Sequence, residues 1–518
     1  MKKNESIGTG PNIKTIDLNS EAHAVAKING KTIFIEPMKV NTFSKSNTEN
    51  QLLQDEHYGA LPDEIIDCKI IADKKNFFLG ELISINTKST KRIKPQCPIF
   101  GLCGGCSLQH LSYDAQLAFK QNLVLQNLKR LGSVNQIENN IKIENIIGME
   151  NPWQYRNKAE FPIGSIFDST FNLTADSKTD SQNLHAGFYK KKTHEIISTE
   201  NCLIQNTLSN SARLVLKDLF PKLCHLVTRI SKNNSLMLIL VTEDLRFFNT
   251  IKTNTNSSIK QSFTDDTFIE KTFIEENFTN ETFTAKTFIE KCSALQKAIP
   301  ELTSLYLSYS PNASHSNGKD FIHLFGDAFL IDSIGSLSFE ISPQSFFQTN
   351  HIQTEQLYKI VKQYASLSGN ETVVDLYCGI GTIGLYLASH AQKIIGVESV
   401  KEAVENAKAN AKRNSIPNAQ FIHSRAEHAL EKITEPIDLL IVDPPRAGLE
   451  EKLIKEIIKK NPKKIIYVSC NPASFSRDIK RLREKSSENY SLTKLQAIDM
   501  FPHTTHVECV VLMSRTND

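Results

Sequence analysis

The chain has 518 residues, and at roughly 150 residues per domain this length predicts about three domains. Hydrophobic residues make up 40% and charged residues 23% of the chain, close to the average of globular proteins, which excludes a disordered or collagen-like chain. Lys and Arg number 60 and Asp and Glu 57, and the resulting net charge of +3 does not by itself indicate a polyanionic partner.

The longest aliphatic runs are much shorter than the roughly 18 to 20 apolar residues that span a bilayer, so no membrane association is expected. The start, MKKNESIGTG, lacks the apolar core of a secretory signal, and we expect a cytoplasmic protein. Its ten cysteines therefore indicate metal binding or catalysis before disulfides.

The N-terminal region has the pattern of a small β domain. Four strand-like segments lie between residues 22 and 85, and the first two join at Asn29-Gly30, a strong hairpin signal. We predict a β-barrel over residues 11–95, with a polar insertion at about 41–57.

The central region, residues 96–340, is predicted to be an α+β domain. A glycine-rich segment with three cysteines is followed by helical spacing over residues 114–131. Further along, Phe recurs every five residues from Phe263 to Phe288. Seven acidic residues and three lysines give residues 263–291 a charge of −4, so we interpret the segment at about 253–290 as a low-complexity insertion.

Residues 341–518 alternate strands and helices, which predicts a doubly wound α/β domain. Its first strand leads into Asp375-Leu376-Tyr377-Cys378-Gly379-Ile380-Gly381-Thr382, and Glu398 ends the next strand. Glycines allow a ligand close to the backbone, and a carboxylate at the second strand's tip can accept ribose hydroxyls. Because Asp375 opens the loop, a cationic ligand without phosphates, S-adenosylmethionine, is favoured over a dinucleotide.

Three more motifs follow strands of the same domain. They are Asp443-Pro444-Pro445-Arg446, Ser469-Cys470-Asn471-Pro472 and His506-Val507-Glu508, the last of which opens the final strand. The carboxyl ends of parallel strands face one crevice, so a carboxylate, a nucleophilic thiol and a general base are predicted to meet there.

The motifs VVDLYCGIGTIGL, IVDPPRAGL, YVSCNPA, HVE and SPQSFFQTN resemble the RNA uracil-5 methyltransferase family over residues 340 to 515. The resemblance implies a Rossmann-like class I methyltransferase domain that uses S-adenosylmethionine, with Cys470 as nucleophile and Glu508 as base. The predicted cofactor contacts, from the loop and the resemblance together, are Gln348, Asp375, Tyr377, Gly379, Gly381, Thr382, Glu398, Glu427 and Asp443.

This chemistry explains the residue types, because C5 of uracil is too weak a nucleophile to take a methyl group from a sulfonium directly. Cys470 adds to C6, C5 then attacks the methyl group, and Glu508 removes the C5 proton. The target base must leave its stack, and Phe346, Phe347 and Arg446 are candidates to hold it.

Cys97, Cys103 and Cys106, with the distant Cys202, have a spacing that suits either a 4Fe-4S cluster or a zinc ion. The segment CPIFGLCGGCSLQH resembles family members with a 4Fe-4S cluster, which implies that these four cysteines bind such a cluster.

Two central segments, WQYRNK at 153–158 and AGFYKKKTHEI at 186–196, interleave aromatic and basic residues and suit unpaired RNA, although a solvated charged face has the same pattern. The N-terminal strands resemble a TRAM domain, an OB-like RNA-binding barrel. The resemblance implies RNA as partner, expected to be 23S rRNA because bacterial members acting on tRNA generally lack the cluster and the barrel. Neither DNA nor a membrane is expected, and we expect a monomer.

Three alternatives remain open at this point. The first is the same reaction on tRNA. The second is methylation of a base amino group, because Asp443-Pro444-Pro445 is similar to the loop of such enzymes, which need no nucleophilic cysteine. The third is an inert RNA-binding iron-sulfur protein.

Overall fold

The computed structural model describes residues 8–39, 55–134, 141–165, 184–216, 222–258, 285–312, 318, 320–487 and 489–516. Most of the predicted insertion at 41–57 and most of the Phe repeat lie outside these residues. Within them, no helix is both long and apolar enough to cross a bilayer.

A closed five-stranded barrel forms the N-terminal part, in the order β1-β2-β3-β5-β4. Its strands are β1 (Gly8–Leu18), β2 (Ala24–Ile28), β3 (Lys31–Glu36), β4 (Ile65–Asp73) and β5 (Phe77–Thr87), with the short helix α1 (Asp55–Tyr58) before β4. Asn29 and Gly30 join β2 to β3 with positive φ angles of 50° and 81°, which confirms the predicted hairpin. The first barrel strand, β1, has no counterpart among the predicted segments.

Helix α2 (Tyr113–Leu131) follows the cysteine-rich segment, as predicted. It packs on the C-terminal domain, and so does the following short strand β6 (Lys142–Ile143), which pairs with the outermost strand of that domain's sheet. Val124 and Leu128 of the helix belong to the same apolar core as strands of the C-terminal sheet. Helix α2 and strand β6 therefore pack with the C-terminal sheet although the whole central region separates them from it in the chain.

A six-stranded sheet in the order β14-β13-β12-β11-β7-β8 forms the centre. The central strands are β7 (Lys158–Ser165), β8 (Leu184–Ala186), β9 (Phe188–Tyr189), β10 (Ile196–Ile197), β11 (His225–Ile230), β12 (Leu236–Thr242), β13 (Leu302–Tyr309) and β14 (Asp320–Gly326), and the helices are α3 (Thr207–Val215), α4 (Leu245–Ser258) and α5 (Ala285–Ala298). Strands β9 and β10 form a separate pair. The β15–β16 hairpin (Leu330–Ile334 and Leu337–Ile341) leads into the last domain.

The last Phe of the repeat corrects the predicted extent of the insertion. Phe288 lies within helix α5, is fully buried, and packs edge to face on Phe247 of helix α4 with ring centroids 5.0 Å apart. Residues 253–258 are helical as well. Both ends of the segment assigned to the insertion are therefore helical parts of the central domain. Phe288 belongs to its apolar core, and residues 253–258 continue helix α4, whose Phe247, Phe248 and Ile251 belong to the same core.

The C-terminal domain is a doubly wound sheet in the order β19-β18-β17-β20-β21-β23-β22-β6, as the alternation predicted. The strands are β17 (Thr372–Leu376), β18 (Lys393–Glu398), β19 (Ala419–His423), β20 (Leu439–Val442), β21 (Lys464–Ser469), β22 (Tyr490–Ile498) and β23 (Glu508–Arg515). The helices are α6 (His351–Ala365), α7 (Thr382–Leu387) with a 3-10 turn at Ala388–His390, α8 (Lys401–Arg413), α9 (Ala426–Lys432), α10 (Glu451–Lys460) and α11 (Pro472–Lys485). The strand order reverses between β17 and β20, the place where such sheets bind ligands.

Candidate active site

The predicted functional side chains meet at one edge of the C-terminal sheet. Asp375 lies near the end of β17, and Asp443 and Cys470 directly follow β20 and β21. Strand β23 runs antiparallel to β21 and pairs Cys509 with Ser469, so its first residue, Glu508, lies beside Cys470. The topology thus brings residues from four strands to one crevice.

The glycine loop after β17 has the backbone of a ligand cradle. Gly379 and Gly381 have φ angles of 55° and 84°, which favour glycine. A Cβ at Gly381 would lie 2.9 Å from the Phe421 ring, whereas one at Gly379 would meet nothing within 4 Å. The Gly379 N–H donates to Glu398 Oε2 at 3.1 Å, which ties the loop to the tip of β18. The loop is closed on one side by protein and open on the other.

Carboxylates concentrate negative charge beside this loop. Asp375 Oδ2 accepts the Gly384 N–H at 2.9 Å, while its Oδ1 is buried without a hydrogen-bond partner. Burial raises the Asp375 pKa to about 7, and the nearby Asp443 and Glu398 carboxylates raise it too. Burial likewise raises the Asp443 pKa to about 7. A site of this kind favours a cationic ligand, because a positive charge relieves the repulsion.

Cys470 is half-buried at the start of the turn into helix α11. Its neighbour Asn471 caps that helix by accepting the Ala473 N–H at 3.0 Å. Burial and then the Glu508 carboxylate raise the Cys470 pKa to about 11, whereas the Arg446 guanidinium, by its charge and a hydrogen bond, lowers it. The thiol thus has an arginine that stabilises the thiolate, the form that acts as a nucleophile.

Glu508 is buried, with an exposed fraction of 6%. Its pKa lies well above the ordinary value because of burial and the Asp443 charge, and Arg446 opposes this shift. Arg446 Nη2 also lies 3.3 Å from His506 Nε2, and its backbone oxygen accepts the Asn471 side-chain N–H at 2.9 Å. Burial and then the Arg446 charge lower the His506 pKa to about 4. His506 is therefore neutral near pH 7.

The remaining predicted cofactor contacts lie around the loop. Thr382 accepts a hydrogen bond from Tyr358 at 2.7 Å, and Gln348 is half-buried on the approach to helix α6. Glu427 is buried and ion-paired with Arg425 at 3.0 Å. Burial and then the Glu427 charge raise the Tyr377 pKa to about 12, so these two side chains lie close together.

The structure separates the three candidates for holding a base. Phe346 is 70% exposed and Arg446 is exposed, so both are accessible. Phe347 is 7% exposed and packs into the domain core near Phe339, with ring centroids 6.4 Å apart. The prediction that Phe347 holds a base is therefore wrong, because its ring is used in packing.

The four cysteines predicted to bind a cluster line a single cavity of about 320 Å³. The Gly105 N–H donates to Cys103 Sγ at 3.4 Å. Burial raises the pKa of Cys103 to about 11 and of Cys106 to about 12, while the charge of Arg156, which also lines the cavity, lowers both. Within the described ranges, no group of three or more Cys, His, Asp or Glu side chains is arranged to hold a metal ion.

The central basic segments are only partly available to RNA. Tyr155 is buried and donates to the Pro502 oxygen at 3.1 Å, and Arg156 lies over the Phe501 ring at 5.6 Å. Lys191 and Lys192 are exposed, although Lys192 pairs with Glu36 of the barrel at 3.2 Å. The first segment therefore packs against the loop before Glu508, and the second faces solvent beside the barrel.

Two features of the site were not predicted from the sequence. Arg446 was considered for base stacking, but it is also the partner of Cys470 and His506. Phe421, three positions into β19, closes the back of the glycine loop. An arginine directly after a rim Asp-Pro-Pro is a readable signal, whereas nothing in the local pattern of β19 distinguishes Phe421 from a core residue.

The profile of the tRNA (Uracil-5-)-methyltransferase family matches residues 333–516. A Bacillus cereus protein named as an uncharacterized RNA methyltransferase is 36% identical over 534 aligned positions, covering 99% of this chain and 98% of the relative. A Staphylococcus aureus protein of the same description is 37% identical, covering 96% of each chain. The structure of the Pyrococcus abyssi tRNA (uracil-54, C5)-methyltransferase with S-adenosyl-L-homocysteine aligns with 98% of this chain at a TM-score of 0.63 and 23% identity, which shows a shared fold. The chain belongs to the RNA uracil-5-methyltransferase family.

Proposed function

We propose that this enzyme transfers a methyl group from S-adenosylmethionine to C5 of a uridine in 23S rRNA, with Cys470 as nucleophile and Glu508 as base. The observation that carries the proposal is the placement of the Cys470 thiol, the Glu508 carboxylate and Arg446 together beside an acidic, glycine-lined crevice. Each group matches one need of the reaction.

The Cys470 thiolate forms a bond to C6 of the uracil, and the electron pair of the C5–C6 bond moves toward O4 to give an enolate. C5 then forms a bond to the methyl carbon, whose bond to sulfur breaks, releasing S-adenosylhomocysteine. Glu508 accepts the C5 proton, and the returning electron pair expels Cys470 as a thiolate. Arg446 stabilises the thiolate at the beginning and at the end of this cycle.

The acidic crevice fits a sulfonium co-substrate. Asp375 has an unpartnered buried oxygen, and two further carboxylates face it. In this proposal Glu398 and Gly379 hold the ribose side, and Asp443 lies between the co-substrate and the uracil. Gln348, Tyr377, Gly381, Thr382 and Glu427 complete the predicted contacts around the loop.

We further propose that Cys97, Cys103, Cys106 and Cys202 hold a 4Fe-4S cluster. Each cysteine of such a cluster binds a different iron atom, so the sulfurs surround a volume and do not converge on one point. The support for this proposal is that the four cysteines line one cavity of about 320 Å³. Anaerobic purification followed by iron and sulfide analysis tests this, and a Cys202→Ser variant that retains the same iron content contradicts it.

The choice of 23S rRNA rests on the cysteine set and the N-terminal barrel, which we propose to be an OB-like TRAM domain that binds RNA. The Pyrococcus protein of the same fold acts on tRNA by its name, so tRNA is the direct competitor. Incubation of unmodified 23S rRNA and of tRNA transcripts with the enzyme and S-adenosylmethionine separates the two. Methylation of tRNA alone would contradict the assignment. We expect a cytoplasmic monomer, which light scattering of the purified enzyme tests for its oligomeric state.

A further inference from the structure

The loop that delivers Glu508 is held from outside its own domain. Residues 499–507 connect β22 to β23, and most of them are buried. The oxygen of His503 accepts the N–H groups of Ser107 at 2.9 Å and Leu108 at 3.0 Å, the two residues after Cys106. The cysteine segment is therefore bonded directly to the loop that precedes the proposed base.

The His503 backbone itself shows that this loop is constrained. Its φ angle of 66° lies in the left-handed region, which costs free energy for a residue other than glycine. Such a conformation persists where the surroundings over-determine it. The two N–H donors after Cys106 and the bond from the His503 N–H to Gln116 Oε1, 3.0 Å long, provide that constraint.

Side chains reinforce the same connection. Trp153, the one tryptophan of the chain, stacks on the His503 ring with centroids 3.8 Å apart and 21° between the planes. Trp153, Phe501, Cys106 and Cys202 pack against one small apolar cluster of Met149, Tyr155 and Ile204. The cysteine cavity and the loop before Glu508 thus share one packing unit, and Trp153 contacts both its buried cluster and the His503 ring.

We propose that Trp153 is a positioning residue that, together with the cysteine segment 97–108, holds Glu508 in place for removal of the C5 proton. The inference rests on the proposed function, and it gives the cysteine segment a mechanical role in the last step. Addition of Cys470 to C6 does not need Glu508. If Trp153 and the cysteine segment no longer hold Glu508 in place, the release of product therefore slows more than the formation of the covalent adduct.

The test compares Trp153→Ala with Trp153→Phe, which keeps a ring on His503, in the full-length enzyme with substrate RNA. Denaturing gels measure the Cys470–RNA adduct, and nucleoside mass spectrometry measures released 5-methyluridine. A misplacement of about 1 Å costs about 10²-fold in rate, so Trp153→Ala should release product about 10²-fold more slowly and accumulate adduct. Trp153→Phe should behave like the wild type.

Cys202→Ala should accumulate adduct in the same way, while Cys292→Ala, a buried cysteine in the core of the central sheet, serves as control. In Cys202→Ala the Trp153 emission should shift to longer wavelength as the indole becomes hydrated, and this readout is independent of activity. If Trp153→Ala does not fold, Tyr155→Phe keeps the ring and removes the hydroxyl that donates to the Pro502 oxygen and interacts with Arg156, and it should show the same imbalance to a smaller extent.

Equal losses of adduct and product, or wild-type release from Trp153→Ala, would overturn the inference. If the wild-type enzyme makes no 5-methyluridine on any RNA, the proposed function fails instead. The two failures are therefore distinguishable.

Discussion

Arg446 and Glu508 act on the Cys470 thiol in opposite directions: the guanidinium lowers its pKa and the carboxylate raises it. Because Ser469 pairs with Cys509 across two antiparallel strands, the sheet brings Glu508 beside Cys470, while Arg446 reaches the thiol from the turn after β20. The pairing of β21 with β23 therefore makes Cys470 and Glu508, the proposed nucleophile and base, neighbours.

Replacing Glu508 by Gln should separate the two halves of the reaction. The amide cannot accept the C5 proton, so turnover should fall by about 10²- to 10⁴-fold, the usual contribution of a general base. Cys470 still adds to C6, and a covalent RNA adduct should accumulate on denaturing gels. A Glu508→Gln enzyme that turns over at the wild-type rate would remove Glu508 from the mechanism.

Replacing Arg446 by Gln should make the Cys470 thiol less reactive. Loss of the guanidinium removes the group that lowers a pKa of about 11, so the thiolate fraction at any given pH below that value should fall. The rate of iodoacetamide alkylation at Cys470, followed by peptide mass spectrometry, should rise with pH in both enzymes and be lower in Arg446→Gln. Lys452→Gln, which removes an exposed charge from helix α10, is the control, and equal alkylation of all three would contradict the assignment.

The acidic crevice should make the free enzyme less stable as the pH rises. The pKa values of Asp375 and Asp443 are about 7 in the folded state, above the ordinary value of 3.8, so the folded state binds protons more tightly than the unfolded state. Their contribution is favourable at acidic pH and is lost as the pH rises from about 4 through 7. The melting temperature should fall over this range by less in Asp443→Asn than in the wild type.

At pH 8, Asp443→Asn should melt at a higher temperature than the wild type, because the amide removes the charge of a partly buried carboxylate. It should also lose activity, because the proposed mechanism places Asp443 in the co-substrate site. S-adenosylmethionine should raise the wild-type melting temperature by placing a cation in the crevice. Identical pH profiles for Asp443→Asn and the wild type would show that burial of this carboxylate has no cost.

Phe288 and the rest of the Phe repeat should respond differently to mutation. Phe288 is fully buried against Phe247, so Phe288→Ala should lower the free energy of unfolding by about 3 to 5 kcal/mol. Deletion of residues 264–284, which stops before helix α5, should leave methylation nearly unchanged. Urea denaturation and an activity assay measure the two effects, and a deletion that abolishes folding would contradict the interpretation of the repeat as an insertion.

The sequence was most informative where chemistry requires particular residues in order along one strand–loop–helix unit. Asp375, the glycine loop, Glu398 and Cys470 all lie where the motifs predict, because in a parallel sheet the position after a strand determines the edge. The hairpin at Asn29-Gly30 is equally local. Such features need no knowledge of distant contacts.

Contacts between segments that are distant in the chain could not be predicted from the sequence. Strand β1 begins with GTGPN, a sequence that does not predict a strand. Its pairing with β2 and β4 defines it as one, with an irregular register between Gly10 and Ile13. Strand β6 has only two residues, and its parallel pairing with the edge strand β22 is what makes it a strand. By sequence, Phe288 is the last Phe of the repeat, and the repeat does not predict its contact with Phe247 of helix α4.

The most direct test of the account is nucleoside mass spectrometry of unmodified 23S rRNA after incubation with anaerobically purified enzyme and S-adenosylmethionine, with Cys470→Ala in parallel. The account predicts new 5-methyluridine with the wild type and none with Cys470→Ala. A methylated amino group on a base, or 5-methyluridine that persists without Cys470, would contradict it.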